Sequence, residues 1–392
     1  MFRWKRKAVY AVASMMVVSI GIVLADSGAN HQTKQTLPIV LGTSGGNVNN
    51  ISRAFCCSGT LGSLVTKNSV NYILSNNHIL ADSDTGSVGD NISQPGLVDV
   101  GCNASQTNTV AHLSQSIPLG TQNVDAAIAQ VVGGAVDPGG AILDFGSTAN
   151  SSAPPASSTA TPTISMTVAK SGRTTGLTCA SISSTNTNVN VQYQRGCGKG
   201  KKFVISYVNQ VVINSSSFSA GGDSGSLIVA QATAEPVALL YAGSSTTTIG
   251  NPIQDVINAL GVSFVGGANH GVSGCPAGGT ASATAAREPM PGSMGRAVLA
   301  KEKHADRLMQ DPAVLGVGVG ADPDDPNQSV VVIYLEQGRA HAPVPAQLDG
   351  VRTHVIRTDE FRAYGWNEPE ARLRPCSDPR FTELLRRVGL PP

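Results

Sequence analysis

Short runs of apolar and β-branched residues recur through residues 37–265, and this pattern limits the possible folds more than any other feature of the chain. The runs are rich in Val, Ile, Thr and Ser, and Gly, Asn and Asp interrupt them; examples are SLVTK, VNYILS, KFVISYVNQVVI and PVALLYAG. Few windows here show the spacing of an amphipathic helix, whereas such runs are typical of β-strands. The pattern predicts an all-β domain of many strands.

The segment 147–163, STANSSAPPASSTATPT, is low in complexity and unsuited to a hydrophobic core. Since it divides residues 37–265 into halves of comparable length, we predict that it connects two β-barrels. One helix is expected near the end of the second half, in NPIQDVINALGV. There Asn251 can cap the first turn, Pro252 suits that turn and Gly261 suits the C-terminus.

The chemistry of the chain changes after the β region. Residues 266–287 are rich in Gly, Ala and Ser, which is typical of a flexible linker. Residues 288–392 are dense in Arg, Asp and Glu, and contain a charged helical segment followed by strand-like runs. We therefore predict a small charged α+β domain at the C-terminus. Substrate docking, self-inhibition, cell-surface attachment and a purely stabilising role are all open for it.

The N-terminus has the layout of a secretory signal peptide. Residues 1–25 comprise a basic head, an apolar run and a small-residue ending at Ala25, and residues 26–36 form a tail before the β region. The apolar run is long enough that an uncleaved membrane anchor is the alternative. The protein is therefore expected to be secreted or periplasmic, and to contact a membrane only if this segment is retained.

Seven cysteines in an exported chain favour disulfide bonds. Cys56 and Cys57 are adjacent and seldom bond each other, so one of them is predicted to pair with Cys102. Cys179 and Cys197 flank a segment with the pattern of a hairpin, and we predict that they close it. The two remaining cysteines, Cys275 and Cys376, lie outside the predicted core.

Charge and cysteine spacing also limit the partners. The formal net charge is +1 and no basic run occurs beyond the N-terminus, so nucleic acid is not an expected partner. The sequence contains no CxxC motif and no Cys/His ligand spacing, so neither a metal nor another cofactor is expected.

A candidate nucleophile lies in the stretch FSAGGDSGSLIVA, where Ser224 is flanked by Asp223 and Gly225. The stretch is also a good turn followed by a strand, so the serine has a chemical role only if a base can accept its proton. His78 is the best placed histidine, since it ends the apolar run YILSNNHIL at a polar tip. The other histidines lie in an ordinary strand (His112) or in tail, linker and charged segments (His31, His270, His304, His341, His354).

An imidazole base needs a carboxylate that fixes its tautomer. Asp125 stands just before the apolar run AAIAQVV, and a buried carboxylate there requires a partner. Asp82, Asp84 and Asp90 lie in a polar loop and are expected to be solvated. Asp125 is therefore the predicted partner of His78.

Three motifs in this order resemble those of the chymotrypsin-like (trypsin-like) serine peptidases. SNNHIL is similar to the histidine motif in its HtrA-like bacterial form, VDAAIA to the aspartate motif and GGDSGSLIV to the serine motif. CSGTLGSLV and KSGRTTGLTCASI resemble further segments, the latter from the streptogrisin-like branch, and the resemblance covers residues 37–265. Ile79 stands where the family often has a cysteine, so Cys57 needs another partner. Ala169 stands where the streptogrisin-like branch has a cysteine, which favours the Cys179–Cys197 pairing.

The resemblance implies a chymotrypsin-like double β-barrel with the active site between the barrels, and an endopeptidase that acts through an acyl-enzyme. Ser224 would attack the peptide carbonyl, His78 would transfer the proton and Asp125 would orient His78. The backbone N–H groups of Gly222 and Ser224 would form the oxyanion hole. The expected partner is a protein or peptide substrate.

The resemblance also places the primary specificity pocket. Its wall and base are expected at Tyr241, Ala242, Gly243, Ser244, Phe218 and Ser219. No acidic residue occurs in these segments, so cleavage after Lys or Arg is not expected. A small or medium apolar residue is expected before the scissile bond.

By the same resemblance, Asp223 turns inward and needs a cation. In the streptogrisin-like branch an arginine supplies the charge, and Lys170 occupies its place in AKSGRTTG. We predict a buried Lys170–Asp223 ion pair, with Arg173 as the alternative cation. Activity then needs no cleavage that would create an ammonium group at Ile39.

Two other classes compete with this interpretation. Ser224, Asp255 and His270 occur in the order used by α/β-hydrolases, but a strand rather than a helix is predicted after the serine, so this class is rejected. The second alternative is a non-catalytic secreted binding protein on an inactive peptidase fold. The presence of all three candidate residues argues against it.

Overall fold

Two large β-sheets form the framework of the protein in the computed structural model, which describes residues 29–52, 55–198, 200–275 and 289–363. The predicted signal peptide (1–25), residues 276–287 of the predicted linker and Cys376 lie outside the described residues.

Most of the described chain is β-strand. Seven described strands precede the predicted connector: β1 (Thr43–Asn47), β2 (Gly59–Leu61), β3 (Ser63–Lys67), β4 (Val70–Ser75), β5 (Asn91–Gln94), β6 (Asn108–Ser116) and β7 (Ala127–Val131). Thirteen follow it: β8 (Thr167–Gly172), β9 (Gly176–Ser181), β10 (Ser184–Gln194), β11 (Lys202–Asn214), β12 (Leu227–Ala230), β13 (Pro236–Gly243), β14 (Thr247–Pro252), β15 (Ser263–Phe264), β16 (Val314–Ala321), β17 (Ser329–Glu336), β18 (Gln347–Leu348), β19 (Val351–Thr358) and β20 (Arg362–Ala363).

The strands form two sheets, and β15 is the described strand after residue 163 that joins the earlier strands. The early strands and β15 form one antiparallel sheet in the order β15-β3-β4-β7-β6-β5-β1-β2. The others form a second sheet, β18-β19-β17-β16-β10-β11-β14-β13-β12-β8-β9, with β20 between β10 and β13. Fully buried apolar side chains such as Leu64 and Ile73 in the first sheet, and Val168 and Ile228 in the second, fill the cores. The predicted chymotrypsin-like double β-barrel is confirmed.

Few helices interrupt the described strands: α1 (Ala29–Gln32), α2 (Asn77–Leu80), α3 (Ile253–Leu260) and α4 (Pro291–Leu308), with short 3-10 turns at Leu97–Val100 and Ala104–Gln106. None of these helices is long and apolar enough to cross a membrane. Gly261 ends α3 in the left-handed conformation, as predicted, with φ +67°. The predicted cap is wrong, because Pro252 precedes the helix directly and Asn251 belongs to β14.

The C-terminal helix and strands are continuous with the second sheet. β16 pairs antiparallel with β10, with Gly316 opposite Val189. The alternating glycines of VLGVGVGA permit this close approach, since a Cβ on Gly318 would clash with the side chain of Thr187. The intervening Val317 is fully buried in the cluster that also contains residues of α4. The α+β region therefore packs on the peptidase-like region through shared strands and a shared core.

Three disulfides join the described cysteines. The predicted bond between Cys102 and one of the adjacent cysteines is confirmed as Cys56–Cys102. The predicted Cys179–Cys197 bond is wrong, because these residues bond Cys275 and Cys57 respectively. Three disulfides are typical of proteins that fold in an oxidising, extracytoplasmic compartment.

Strand pairing explains the wrong disulfide prediction. The segment between Cys179 and Cys197 is not a hairpin: β9 pairs back with β8, with Ala169 opposite Cys179, whereas β10 pairs forward with β11. Cys197 follows β10 at the tip of that second hairpin, where neighbouring Gly198 packs against Phe55 of the first half. The partner of each cysteine is thus set by which hairpin carries it.

Candidate active site

A buried hydrogen bond joins the predicted base and its carboxylate. β4 ends at Ser75, and the single-turn helix α2 then carries His78. His78 Nδ1 lies 2.5 Å from Asp125 Oδ2, and the His78 backbone N–H donates to Asp125 Oδ1 at 3.3 Å. His78 is 2% exposed and Asp125 is 0% exposed, so water does not compete for this bond.

Asparagine side chains fix the backbone on both sides of this pair. Asn76 Nδ2 donates to the carbonyl of Asp125 at 2.8 Å, and Asn77 Nδ2 donates to the carbonyl of Ile117 at 2.8 Å. On the other side, the Asp125 N–H donates to Asn251 Oδ1 at 2.9 Å. Asn251 belongs to the second sheet, so the aspartate is held from both halves of the fold.

Tyr193 is a member of the site that the sequence analysis missed. Its hydroxyl donates to Asp125 Oδ2 at 2.9 Å, lies 2.9 Å from the Tyr207 hydroxyl, and its ring meets the His78 ring edge-on at 6.1 Å. Burial, and then the charge of Asp125, raise the pKa of Tyr193 well above its ordinary value, so the hydroxyl stays protonated as a donor. A buried tyrosine signals that some partner exists, but NVNVQYQ does not say which one.

Ser224 lies in a tight turn between β11 and β12, and the adjacent glycines are required there. Gly222 and Gly225 have φ of +96° and +94°, which favour glycine. A Cβ on Gly222 would lie 2.5 Å from Thr174 Oγ1 and 2.7 Å from Arg173 Nη1. Ser224 itself is 0% exposed, and its Oγ lies 3.3 Å from the Tyr241 carbonyl oxygen.

The serine turn packs directly against the end of the strand that precedes His78. The Thr60 N–H donates to the carbonyl of Ser224 at 2.8 Å, and Ser75 Oγ donates to the carbonyl of Thr60 at 2.7 Å. A Cβ on Gly225 would clash with that same Ser75 hydroxyl and Thr60 carbonyl. The structure therefore brings the Ser224 turn and the His78–Asp125 pair to one junction between the two sheets.

Asp223 is fully buried beside Lys170. Lys170 Nζ lies 3.4 Å from Asp223 Oδ2, and both side chains are 0% exposed. The Thr175 hydroxyl donates to Asp223 Oδ2 at 2.7 Å and accepts from Lys170, while the N–H groups of Thr174 and Ala220 donate to Asp223 at 2.8 and 3.0 Å. Burial lowers the pKa of Lys170, and the charge of Asp223 opposes that shift.

The two alternatives to Lys170 as the partner of Asp223 have other contacts. Arg173 forms a two-pronged pair with Asp99, with Nε and Nη2 at 2.9 and 2.5 Å from its carboxylate oxygens. The Ile39 N–H donates to the carbonyl of Ala135 at 2.8 Å. The Ile39 N–H is an uncharged amide in the unbroken chain, and Lys170 is the cation that pairs with Asp223.

The predicted pocket residues are mostly enclosed in the intact chain. Tyr241 is fully buried and packs edge-on against Tyr207 at 5.1 Å, and Phe218 is fully buried in the second core. Ser219 Oγ lies 2.5 Å from Thr248 Oγ1. Ala242 and Gly243 pair with β20, and Ser244 Oγ lies 2.5 Å from Thr358 Oγ1.

Of the other histidines, His112 is exposed on β6, as expected of an ordinary strand histidine. His31 was assigned to a tail, but it is 1% exposed, with Nδ1 2.7 Å from the Gly42 carbonyl and Nε2 2.9 Å from Asp144 Oδ2. It fastens the N-terminal segment to the first sheet. Among the described residues no group of three or more His, Cys, Asp or Glu is arranged to hold a metal ion.

The arrangement of the two sheets is that of a chymotrypsin-like fold. No protein-family model and no curated protein matches the chain. A glutamic-acid-specific serine protease that uses a histidine triad in substrate binding is 20% identical, with 58% of this chain and 100% of that chain covered and a TM-score of 0.40. Thermobifida fusca protease A is 17% identical, with 58% and 99% covered and a TM-score of 0.39. Nocardiopsis protease is 16% identical, with 58% and 98% covered and a TM-score of 0.39.

Proposed function

We propose that the protein is a secreted serine endopeptidase that cleaves peptide bonds through an acyl-enzyme on Ser224. The observation that carries the proposal is the buried 2.5 Å hydrogen bond between His78 Nδ1 and Asp125 Oδ2, beside the turn that holds Ser224. A carboxylate acceptor keeps the proton on Nδ1, so Nε2 is the basic nitrogen. Three disulfides and the signal-like residues 1–25 support export.

The proposed reaction uses the three side chains in turn. Ser224 Oγ attacks the peptide carbonyl carbon while His78 Nε2 accepts the hydroxyl proton, and Asp125 stabilises the resulting imidazolium. The C–N bond breaks when His78 returns the proton to the leaving amine. Water then attacks the acyl-enzyme in the same way and releases the new carboxylate. The N–H groups of Gly222 and Ser224 stabilise the negative oxygen in both halves of the reaction.

Tyr193 acts in this proposal as a positioning residue. Its hydroxyl holds the same Asp125 oxygen that accepts the His78 proton, at 2.9 Å. A hydrogen bond to a carboxylate is electrostatically stronger in a buried site than at the surface. Tyr193 therefore holds the Asp125 carboxylate in its orientation toward His78 without touching the substrate.

The Lys170–Asp223 pair is proposed to hold the oxyanion turn in its working shape. Asp223 stands between the two residues whose N–H groups form the hole, and Lys170, Thr174, Thr175 and Ala220 hold its carboxylate. The turn is built this way with Ile39 inside an intact chain, so we propose that no cleavage at Ile39 is needed for activity. A small or medium apolar residue before the scissile bond remains the proposed preference.

A fluorophosphonate probe, which reacts with activated serines, tests the proposed function. After prolonged incubation we expect the wild type to be labelled at Ser224, and mass spectrometry of the modified peptide locates the label. Ser224→Ala should not be labelled. His78→Ala should slow labelling by about 10²-fold or more, because the base is lost. The non-catalytic binding protein becomes the better interpretation if the probe labels neither the wild type nor a variant in which the edge of β13 is free.

A further inference from the structure

The edge of β13 next to Ser224 is occupied by the protein's own C-terminal strand. Tyr241, whose carbonyl lies 3.3 Å from Ser224 Oγ, is followed by Ala242 and Gly243. These two residues pair antiparallel with Ala363 and Arg362 of β20. We propose that β20 takes the place of the acyl half of a peptide substrate, so that the intact chain is self-inhibited. This inference rests on the proposed function.

The direction of β20 is the one that a substrate needs. Arg362 lies opposite Gly243 and Ala363 lies opposite Ala242, so β20 approaches Tyr241 and the nucleophile with its carboxyl end leading. The part of a substrate that becomes the acyl group also reaches the serine through its carboxyl end. Main-chain pairing to a strand edge is a general way to bind extended peptides. β20 therefore mimics a bound peptide in both position and polarity.

The opposite edge of β20 is also bound. Arg362 lies opposite Gln192 of β10 in parallel pairing, and the Gln192 N–H donates to the carbonyl of Phe361 at 2.8 Å. Gln192 Nε2 donates to Glu360 Oε1 at 2.6 Å. A peptide in this groove is held on both sides, so a substrate must displace β20 rather than lie beside it.

Burial of side chains fixes β20 in the groove. Phe361 and Ala363 are both 0% exposed and belong to one apolar cluster with Tyr193 and Tyr241. The Phe361 ring packs edge-on against Tyr334 at 5.7 Å. In the same chain Ser224 is 0% exposed and His78 is 2% exposed, so a protein substrate has no path to the hydroxyl in this state.

Several contacts between the C-terminal region and the second sheet hold β20 in place. β19 leads into it, and the Thr358 and Asp359 side chains hydrogen-bond Ser244 and Ser245 just beyond β13. On the other side of the region, Lys301 of α4 donates to Asn188 Oδ1 of β10 at 2.6 Å. With β16 paired to β10 as well, the inhibitory strand is held at a fixed place over the groove.

The test compares full-length variants that expel β20 with a matched control. Phe361→Asp places a charge in a buried apolar site, and Arg362→Pro removes an N–H from the paired strand. Leu299→Asp is the control, because Leu299 is 68% exposed on α4, in the same region. For each chain one measures fluorophosphonate labelling rate and hydrolysis of a small apolar peptide ester, after circular dichroism has confirmed folding.

We expect both rates to rise at least about tenfold in Phe361→Asp and Arg362→Pro, and to stay at the wild-type level in Leu299→Asp, since freeing the competent state raises its population. Arg362→Pro removes no buried side-chain packing, so this variant still tests self-inhibition if Phe361→Asp fails to fold. Equal rates in the wild type and the folded β20 variants would overturn self-inhibition while leaving the peptidase proposal intact. Absence of labelling in every chain, or labelling that persists when Ser224→Ala is added to Phe361→Asp, would instead overturn the proposed function, and the inference with it.

Discussion

The Tyr193 hydroxyl connects the candidate carboxylate to the second sheet through a single atom. It donates to Asp125 Oδ2 at 2.9 Å and is 2.9 Å from the hydroxyl of Tyr207. Since Tyr193 belongs to β10 and Asp125 precedes β7, one hydrogen bond couples the geometry of the site to the packing of both sheets.

Removing that hydroxyl should affect turnover more than binding. In the Phe361→Asp background, where the edge of β13 is free, Tyr193→Phe should lower kcat about tenfold and leave KM nearly unchanged, because a hydrogen bond to an ionised group contributes about 1.5–3 kcal/mol. Tyr334→Phe is the control, since Tyr334 is equally buried and its hydroxyl lies 2.8 Å from Ser184 Oγ, far from Asp125 in the chain. Equal kcat values in the two variants would show that Tyr193 has only a structural role.

Asp82 makes stability depend on pH near the candidate site. Burial raises the pKa of Asp82 from 3.8 to about 6, and a hydrogen bond from Thr85 acts in the opposite direction by lowering that pKa. Within the described structure, Asp82 Oδ1 has no hydrogen-bond partner. Between these two pH values the folded state binds more protons than the unfolded state, so the free energy of unfolding falls as pH rises through this window. The shift corresponds to about 3 kcal/mol at most.

Asp82→Asn should remove that dependence. Asparagine tolerates the left-handed backbone at this position, where φ is +47°. We expect the variant to be about 1–2 kcal/mol more stable than the wild type at pH 8 and to lose most of this advantage at pH 4, where the wild-type carboxyl is protonated. Urea unfolding at both pH values measures the free energy of unfolding of each chain. A difference between the two chains that is the same at pH 8 and pH 4 would contradict the raised pKa of Asp82.

At the scale of secondary-structure elements, the β8–β9 hairpin supports the serine turn. Lys170 lies in β8, and Thr174 and Thr175 form the turn of the hairpin that donates to Asp223. Apart from the Ala220 N–H, the groups that hold the carboxylate before the nucleophile therefore come from one continuous stretch, KSGRTTG. This explains why a hairpin so far from Ser224 in sequence carries polar residues in a buried place.

Lys170→Met should disturb the turn while leaving His78 and Asp125 in place. Loss of one partner of a buried pair typically costs about 3–5 kcal/mol, because the other charge is stranded. The four hydrogen bonds that Asp223 accepts from Thr174, Thr175 and Ala220 offset part of that cost. In the Phe361→Asp background we expect a lower midpoint of urea unfolding and a kcat/KM at least about 10²-fold lower, the loss typical of a damaged oxyanion hole.

The double variant Lys170→Met/Asp223→Asn provides the comparison. With both charges removed, stability should recover much of its loss, since an uncharged buried pair strands no ion. A Lys170→Met chain with wild-type stability and kcat/KM would show that the neighbouring N–H groups hold Asp223 by themselves.

At the scale of the whole molecule, the C-terminal region is joined to the peptidase-like sheets by strand pairing and by buried side chains. β16 extends the second sheet, and Leu315, Tyr334 and Phe361 share a buried cluster with Tyr193 and Tyr241. Deleting the region would expose these tyrosines beside Asp125. Substitutions in the full chain are therefore the appropriate way to examine self-inhibition, the one of the four predicted roles for which β20 provides direct support.

The sequence by itself determined the features that depend on neighbours in the chain. Short apolar and β-branched runs predicted the strands, the glycines around Ser224 predicted a tight turn, and the polar end of an apolar run singled out His78. Each of these follows from local sterics, periodicity or the cost of burying a charge, which act over a few residues.

Only the tertiary structure decided which distant segments meet. Cys57 and Cys197 are 140 residues apart, Tyr193 and Asp125 are 68 apart, and nothing local specifies either pairing. The place of β20 beside β13 depends in the same way on how β16 and β19 are added to the second sheet. The topology of the whole sheet sets such contacts. A strand edge can pair with any extended segment, so the rest of the fold decides which segment lies beside it and in which register.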